Sequence, residues 1–135
     1  MSEPFLKIDV QGDRELARAI ERAGAAFRPE VVHNGLLAGG MLVANDAKAM
    51  APYRTGTLRR SIHLESTEDL LTVKVGTNVP YAARLEYGFT GKDSLGRHYN
   101  QPARPYLRPA IENNRQRVRE EVRRVILLQL RAAVR

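Results

Sequence analysis

Hydrophobic and polar residues alternate in three short stretches of the chain, and each alternation predicts a strand with one buried face. The first stretch is FLKIDV (5–10), in which Leu6 and Ile8 alternate with charged side chains. The other two stretches span residues 62–65 and 71–75, and the polar segment STED lies between them. A polar link between two alternating stretches indicates that these two strands form an antiparallel hairpin.

Apolar residues spaced three to four positions apart predict three longer helices. The first helix carries Leu16, Ile20 and Ala23 on one face. The second helix extends over about residues 29–50, and the third is a basic helix that covers residues 105–133 and closes the chain.

Two adjacent glycines, Gly39 and Gly40, interrupt the second predicted helix. Each glycine costs ~1 kcal/mol of helix stability relative to alanine. The pair therefore predicts a kink, the close approach of another backbone, or simply a slightly weaker helix.

The segment between the hairpin and the closing helix is predicted to contain little helix or strand. YAARLEYG (81–88) predicts one or two helical turns, and residues 89–101 predict a long polar loop that is either mobile or ordered by a partner. Prolines 102, 105 and 109 fix φ and remove backbone donors, which predicts a stiff extended arm with Pro109 in the first turn of the closing helix.

These elements together predict an α+β fold in a single domain, residues 1–135. A small antiparallel sheet is flanked by two N-terminal helices and a long C-terminal helix. The polar loop and the proline-rich arm occupy residues 89–104 of this domain.

The charge of the chain is concentrated near its end. Lysine and arginine number 22 against 15 acidic residues, a net charge of +7, and residues 104–135 carry +6 of it. Such a basic block suits either nucleic acid or an acidic protein surface. No apolar run reaches the ~20 residues that span a bilayer, and the N-terminus has no secretion signal pattern, so we expect a cytoplasmic location.

The residues whose side chains could act in catalysis or bind a metal do not follow the spacing of any known site. The absence of cysteine excludes disulfides, thiolate metal sites and thiol nucleophiles. His33, His63 and His98 fall in three different elements, and Ser61 points away from His63 on its predicted strand. TGKDS (90–94) lacks the residues of a phosphate-binding loop. We therefore expect no catalytic residue, no metal site and no cofactor, and hence no enzyme.

Three motifs follow one another along the chain: APYRTGTLRRSI (51–62), YAARLEYG (81–88) and PARPYLRPA (102–110). In this order, with a strand pair between the first two, they resemble the minor tail components of long-tailed bacteriophages and prophages, also called tail-completion or head–tail joining proteins. The motif positions interpreted as structural are Pro52, Thr55, Gly56, Leu58, Ser61, Tyr81, Ala82, Glu86 and Gly88.

The resemblance implies a non-enzymatic virion protein that forms a ring, expected to be a hexamer, at the neck between the DNA-filled head and the tail. Implied partners are further copies of the chain, head connector or adaptor proteins, and the tail tube or tail terminator. The resemblance further implies a lumen through which DNA can pass, no contact with a membrane, and assembly in the host cytoplasm. Two alternatives stay open: a tail-terminator ring that caps the tail tube, and a basic DNA-binding accessory protein.

Two segments are expected to make the contacts between subunits or with partners. In the arm, Tyr106 and Leu107 would be apolar anchors, while Arg104 and Arg108 pair with carboxylates of a neighbour. The whole predicted interface comprises Arg104, Pro105, Tyr106, Leu107, Arg108 and Pro109. The polar loop carries Lys92, Arg97 and His98, which would contact an adjacent ring or the DNA channel, unless the loop has no role.

Two further contacts are predicted for charged side chains. Glu86 is expected to pair with Arg59 or Arg60, in either a buried or a solvated pair. Strongly basic walls would retard DNA in a channel. We therefore expect most arginines of the closing helix, including the face formed by residues 115, 119 and 123, to lie against protein.

Overall fold

The computed structural model describes residues 5–9, 14–52, 56–92 and 94–134, and helices alternate there with short strands. The elements are β1 (Phe5–Asp9), α1 (Arg14–Ala23), a 3₁₀ turn (Gly24–Ala26), α2 (Pro29–Met50), α3 (Thr57–Ser61), β2 (His63–Ser66), β3 (Thr72–Gly76), α4 (Ala82–Tyr87), β4 (Phe89–Lys92), β5 (His98–Gln101) and α5 (Leu107–Val134). This arrangement confirms the predicted α+β class.

Strands β1, β3 and β2 form one antiparallel sheet in that order, which confirms the three predicted strands and the hairpin. Val75 of β3 lies opposite Leu6 of β1 and Leu64 of β2, so one face of the sheet is apolar. Leu64 packs directly over Gly40 of α2. The apolar face of the sheet therefore lies against this helix.

Helix α2 lies between the sheet and α5 and is buried along most of its length. Gly39 faces α5 so closely that a Cβ atom there would lie 3.0 Å from the Cα atom of Val118. A Cβ atom on Gly35 would lie 3.1 Å from the Cα atom of Val122. The predicted close approach of another backbone is thus confirmed, and it occurs without a break in α2.

A buried polar contact fixes how α2 and α5 are aligned. The side-chain amide of Asn114 donates to Asp46 Oδ2 at 2.6 Å and to the carbonyl oxygen of Ala110 at 2.8 Å. Asn114 is buried, and buried polar groups are costly unless they are paired. This contact joins the end of α2 to the start of α5, while Gly35 near the start of α2 lies against Val122 further along α5, so the two helices run antiparallel.

The prediction of a loop over residues 89–101 is wrong, because β4 and β5 pair there as an antiparallel hairpin. The rings of Phe89 and Tyr99 lie 6.1 Å apart across the two strands, and the Arg84 guanidinium lies 3.9 Å from the centre of the Phe89 ring. Gly96 adopts a φ of +80° in the connection between the strands. One aromatic pair and one left-handed glycine thus order a segment whose composition is polar.

Among the described residues, no helix combines the length and the apolar character that crossing a membrane requires.

Candidate assembly surface

Glu86 of α4 closes the start of α5 from outside that helix. Its Oε1 atom accepts hydrogen bonds from the backbone N–H groups of Tyr106, at 3.2 Å, and Leu107, at 2.7 Å. Its Oε2 atom lies 3.5 Å from the backbone nitrogen of Arg108. The first N–H groups of a helix have no partner within the helix, and its N-terminus favours negative charge. The buried Glu86 carboxylate therefore caps α5, while Pro109 supplies no N–H that needs a partner.

Tyr106 forms a second contact between the start of α5 and α4. Its side chain is fully buried, and its hydroxyl donates to the carbonyl oxygen of Ala82 at 3.2 Å. Burial, and after it the charge of Glu86, raises the pKa of the Tyr106 phenol well above its ordinary value. The phenol therefore stays protonated and can donate this hydrogen bond.

The backbone before α5 lies directly against the end of α4. The N–H of Arg104 donates to the carbonyl oxygen of Leu85 at 2.7 Å. Gly88 has a φ of +79°, and a Cβ atom on it would lie 3.0 Å from the backbone nitrogen of Ala103. Gly88 is therefore required both by its conformation and by the space available. We call this junction of Ala82, Glu86, Gly88, Arg104 and Tyr106 the clasp.

The clasp corrects the prediction that Tyr106 and Leu107 are surface anchors for a partner. Both side chains are fully buried in the core of their own subunit, so neither can be the apolar contact of an exposed arm. Their apolar character serves the docking of α5 instead. Arg104, Pro105 and Arg108 are exposed, as a contact surface requires, and their role at an interface stays a prediction.

The prolines of the arm behave as the sequence indicates, and one predicted ion pair stays open. Residues 102–105 have no helix or strand assignment, and the half-buried Pro109 lies in the first turn of α5. The hydrogen bonds just described explain the position of Glu86 through backbone donors. Its pairing with Arg59 or Arg60 stays a prediction.

The first motif, residues 51–62, forms a turn and the short helix α3. Gly56 has a φ of +83° at the start of α3, and Leu58 is buried in the core. The Ser61 hydroxyl donates to the carbonyl oxygen of Leu58 at 2.6 Å and lies 2.6 Å from the Thr77 hydroxyl oxygen. These contacts agree with structural roles. Pro52 is half-buried, and Thr55 lies outside the described residues.

The histidines also make local contacts. His33 lies 3.1 Å from both the Leu70 carbonyl oxygen and the Ser66 hydroxyl oxygen, which holds the β2–β3 connection beside the first turns of α2. His63 Nδ1 lies 2.6 Å from the Ser61 carbonyl oxygen. In the described part of the chain, no three residues of the types His, Asp and Glu are grouped so that they could hold a metal ion.

The β4–β5 hairpin extends from the clasp and is largely exposed, and its sequence has Lys92 and Arg97 against one acidic residue, Asp93. Lys92, Arg97 and His98 are all exposed, as a contact role requires. Leu95 is 76% exposed and Tyr99 is 37% exposed. The hairpin thus combines positive charge with exposed apolar area, a combination common at protein interfaces.

A family model for HK97-gp10-like bacteriophage tail components matches residues 7–88. The chain belongs to this family. The match contains the first two motifs and ends at Gly88, the glycine of the clasp. No curated protein and no solved structure is significantly similar to the chain. Family membership makes the protein a bacteriophage tail component and places it in the virion.

In this tail component, the arginine face of α5 is only partly covered by the same subunit, because Arg115 and Arg123 are exposed and Arg119 is half-buried. Arg123 forms an ion pair of 2.5 Å with Glu15 of α1. Arg115 and Arg119 line a groove of about 220 Å³ beside Lys7 and Ile8 of β1. What this groove faces in an assembled tail stays a prediction, as does the expectation that the face avoids the lumen.

Sequence reasoning missed the exposed apolar residues of the hairpin. Leu95 and Tyr99 are the largest apolar side chains that the hairpin exposes to solvent. The signal that could have found them is the spacing of Phe89 and Tyr99 on either side of Gly96, which is typical of two paired strands around a turn.

Proposed function

We propose that this tail component is a structural, non-enzymatic subunit of a ring that joins the tail to the DNA-filled head. The ring is a hexamer of this chain. It contacts head connector or adaptor proteins on one side and the tail tube or tail terminator on the other, and DNA passes through its lumen.

The observation that carries this proposal is the hairpin and the way in which it is held. The clasp uses a buried carboxylate, a buried phenol and a closely packed glycine to fix the base of a hairpin that remains exposed. An exposed element whose base is fixed suits a protein that works by contact, because its position on the subunit is set before it binds. Membership of a family of tail components supports the same interpretation.

The proposal is tested in a phage or prophage whose own copy of this gene is inactivated. Electron micrographs of the lysate should show DNA-filled heads and tails of normal length that are not joined. The wild-type gene supplied on a plasmid should restore joined particles. Joined, infectious particles without the protein would overturn the proposal.

A different defect would point to another role. Tails that grow beyond their normal length, in the absence of the protein, would identify a tail terminator and would contradict the proposed joining role.

A further inference from the structure

The β4–β5 hairpin lacks the cover that a small sheet normally needs. A two-stranded hairpin alone is at best marginally stable in water. The contacts of this hairpin with the rest of the subunit include the stack of Arg84 on Phe89 and the clasp at its base, and most residues of both strands are exposed. Leu95 and Tyr99 remain exposed. The hairpin would therefore gain stability from a second surface.

The three-stranded sheet has two edge strands, and their surroundings differ in charge. Beside β1, Lys7 lines one groove with Arg115 and Arg119 and a second groove with Arg108 and Arg115. Each groove also has one acidic residue, Asp9 in the first and Glu112 in the second, so basic residues outnumber acidic ones by three to one. This edge would repel a basic hairpin.

The β2 edge has the opposite character. Glu65 lies in β2, Glu68 and Asp69 lie in the connection to β3, and Lys74, opposite Glu65, is the one lysine or arginine in the sequence between residues 61 and 76. Glu65 is half-buried, and Glu68 and Asp69 are exposed. Charge therefore selects the β2 edge, and not the β1 edge, as the surface that complements the hairpin.

The base of the hairpin and the acidic connection lie near opposite ends of α2. The clasp holds the base of the hairpin at the start of α5, near Asp46 in the last turns of α2. His33 in the first turns of α2 holds the acidic connection. The 13 residues between His33 and Asp46 correspond to about 20 Å of helix. Surfaces separated in this way join one subunit to the next rather than to itself.

We propose that the β4–β5 hairpin of one copy docks against the β2 edge and the acidic β2–β3 connection of the next copy. Lys92 and Arg97 would face Glu65 and Glu68, and the hairpin would extend the sheet of its neighbour. Such a contact is head-to-tail, and repeated contacts of this kind close into a ring when the rotation permits. The inference rests on the proposed ring and names the surfaces that build it.

A charge exchange tests the contact in the phage lacking its own copy of the gene. The hairpin variant carries Lys92→Glu and Arg97→Glu. The edge variant carries Glu68→Lys and Glu65→Gln, because a lysine at position 65 would lie opposite Lys74. Like charges across an interface oppose association strongly, so each variant alone should lower the yield of infectious particles at least about hundredfold.

Co-expression of the two variants should restore particles. The acidic hairpin of one variant meets an edge that carries a positive charge at position 68 and no charge at position 65, and the two unchanged surfaces also fit each other. The particles should then contain both variants in equal amounts. Loss of infectivity with both single variants and no recovery on co-expression would overturn the proposal, as would near wild-type yields with either single variant.

The edge variant distinguishes a subunit contact from a DNA contact. If the hairpin binds DNA in the channel instead, the hairpin variant will fail while the edge variant forms normal particles, and the proposal is wrong. A matched control with Glu112→Gln and Glu120→Lys makes the same change in net charge on the exposed side of α5. It should form particles by itself, and its failure would show that net charge, not position, causes the loss.

Two measurements distinguish a failure of the proposed subunit contact from a failure of the proposed joining role. Thermal unfolding of each purified variant should match the wild type, which excludes misfolding as the cause of the loss. Micrographs of the gene-inactivated phage test the joining role independently. If the gene-inactivated phage shows unjoined heads and tails but co-expression of the two variants does not restore particles, the proposed contact is wrong and the joining role still stands.

Discussion

The α2–α5 helix pair and the β4–β5 hairpin are both antiparallel pairs, but they differ completely in how they are covered. The helices approach so closely that a Cβ atom on Gly39 would lie 3.0 Å from the backbone of Val118. The hairpin leaves Leu95 76% exposed. The helix pair therefore contributes to the stability of the subunit, whereas the hairpin contributes surface.

The clasp lies where these two regions meet, and its residues contribute both to the core and to the position of the hairpin. Glu86 caps the helix that builds the core, and two residues later Gly88 begins the turn into the hairpin. A substitution in the clasp should therefore affect both stability and hairpin position. Substitutions in either region alone should affect only one.

Filling the space between the helices should have the largest effect. Gly39→Leu forces α2 and α5 apart, and overpacking of this kind should lower the free energy of unfolding by about 3 kcal/mol or more. Urea denaturation followed by circular dichroism measures this change. Ala38→Leu is the matched control, because Ala38 is the exposed neighbour in the same helix and should change stability by less than about 0.5 kcal/mol. Equal effects of the two substitutions would show that the helix contact is not close.

Removal of the cap should have the next largest effect. Glu86→Ala leaves the buried N–H groups of Tyr106 and Leu107 without their acceptor, which should cost about 2–3 kcal/mol of unfolding free energy. Glu86→Gln keeps an acceptor oxygen and should cost less. Glu120→Ala on the exposed side of α5 serves as the control in the same denaturation experiment. A stability of Glu86→Ala equal to that of this control would contradict the capping role.

The contribution of the Tyr106 phenol to the free energy of unfolding should depend on pH. Tyr106→Phe loses the hydrogen bond to Ala82, at a cost of about 1 kcal/mol near neutral pH. Because burial raises the pKa of Tyr106 in the folded protein, only the unfolded chain releases this proton above about pH 10. This contribution to stability is therefore complete below about pH 10 and is lost as the pH rises further.

The phenylalanine variant has no such proton, which supplies the control. The difference in unfolding free energy between wild type and Tyr106→Phe should be smaller at about pH 10.5 than at pH 8, and the decrease should begin near pH 10. A constant difference over this range would show that the Tyr106 phenol ionises equally in both states.

Local patterns predicted most of the fold. Alternation predicted the three strands and their hairpin, and helical spacing predicted α2 and the closing helix, because each pattern reflects which face is buried. Gly39 left three explanations open, and the close approach of another backbone is the one that the structure shows.

The candidate site was predicted less well, because its residues act through partners distant in sequence. Glu86 bonds to residues about 20 positions away, and nothing in YAARLEYG identifies those donors. Tyr106 and Leu107 look like exposed anchors beside prolines, although the core buries them. The polar composition of residues 89–101 concealed a hairpin held by one aromatic pair.

A substitution at the tip of the hairpin should cause the smallest change in stability. It tests directly whether the hairpin, unlike the helix pair, contributes surface and not stability. Leu95→Ser removes an exposed apolar side chain, so the free energy of unfolding should change by less than about 0.5 kcal/mol. The same substitution removes apolar area from the proposed subunit contact, so the yield of infectious particles should fall. Urea denaturation and particle counts on one variant measure both quantities. A loss of more than about 1 kcal/mol would place the hairpin within the stable core of the subunit. An unchanged particle yield would mean that this leucine is not part of the contact, and the docking of the hairpin would then depend on its charges alone.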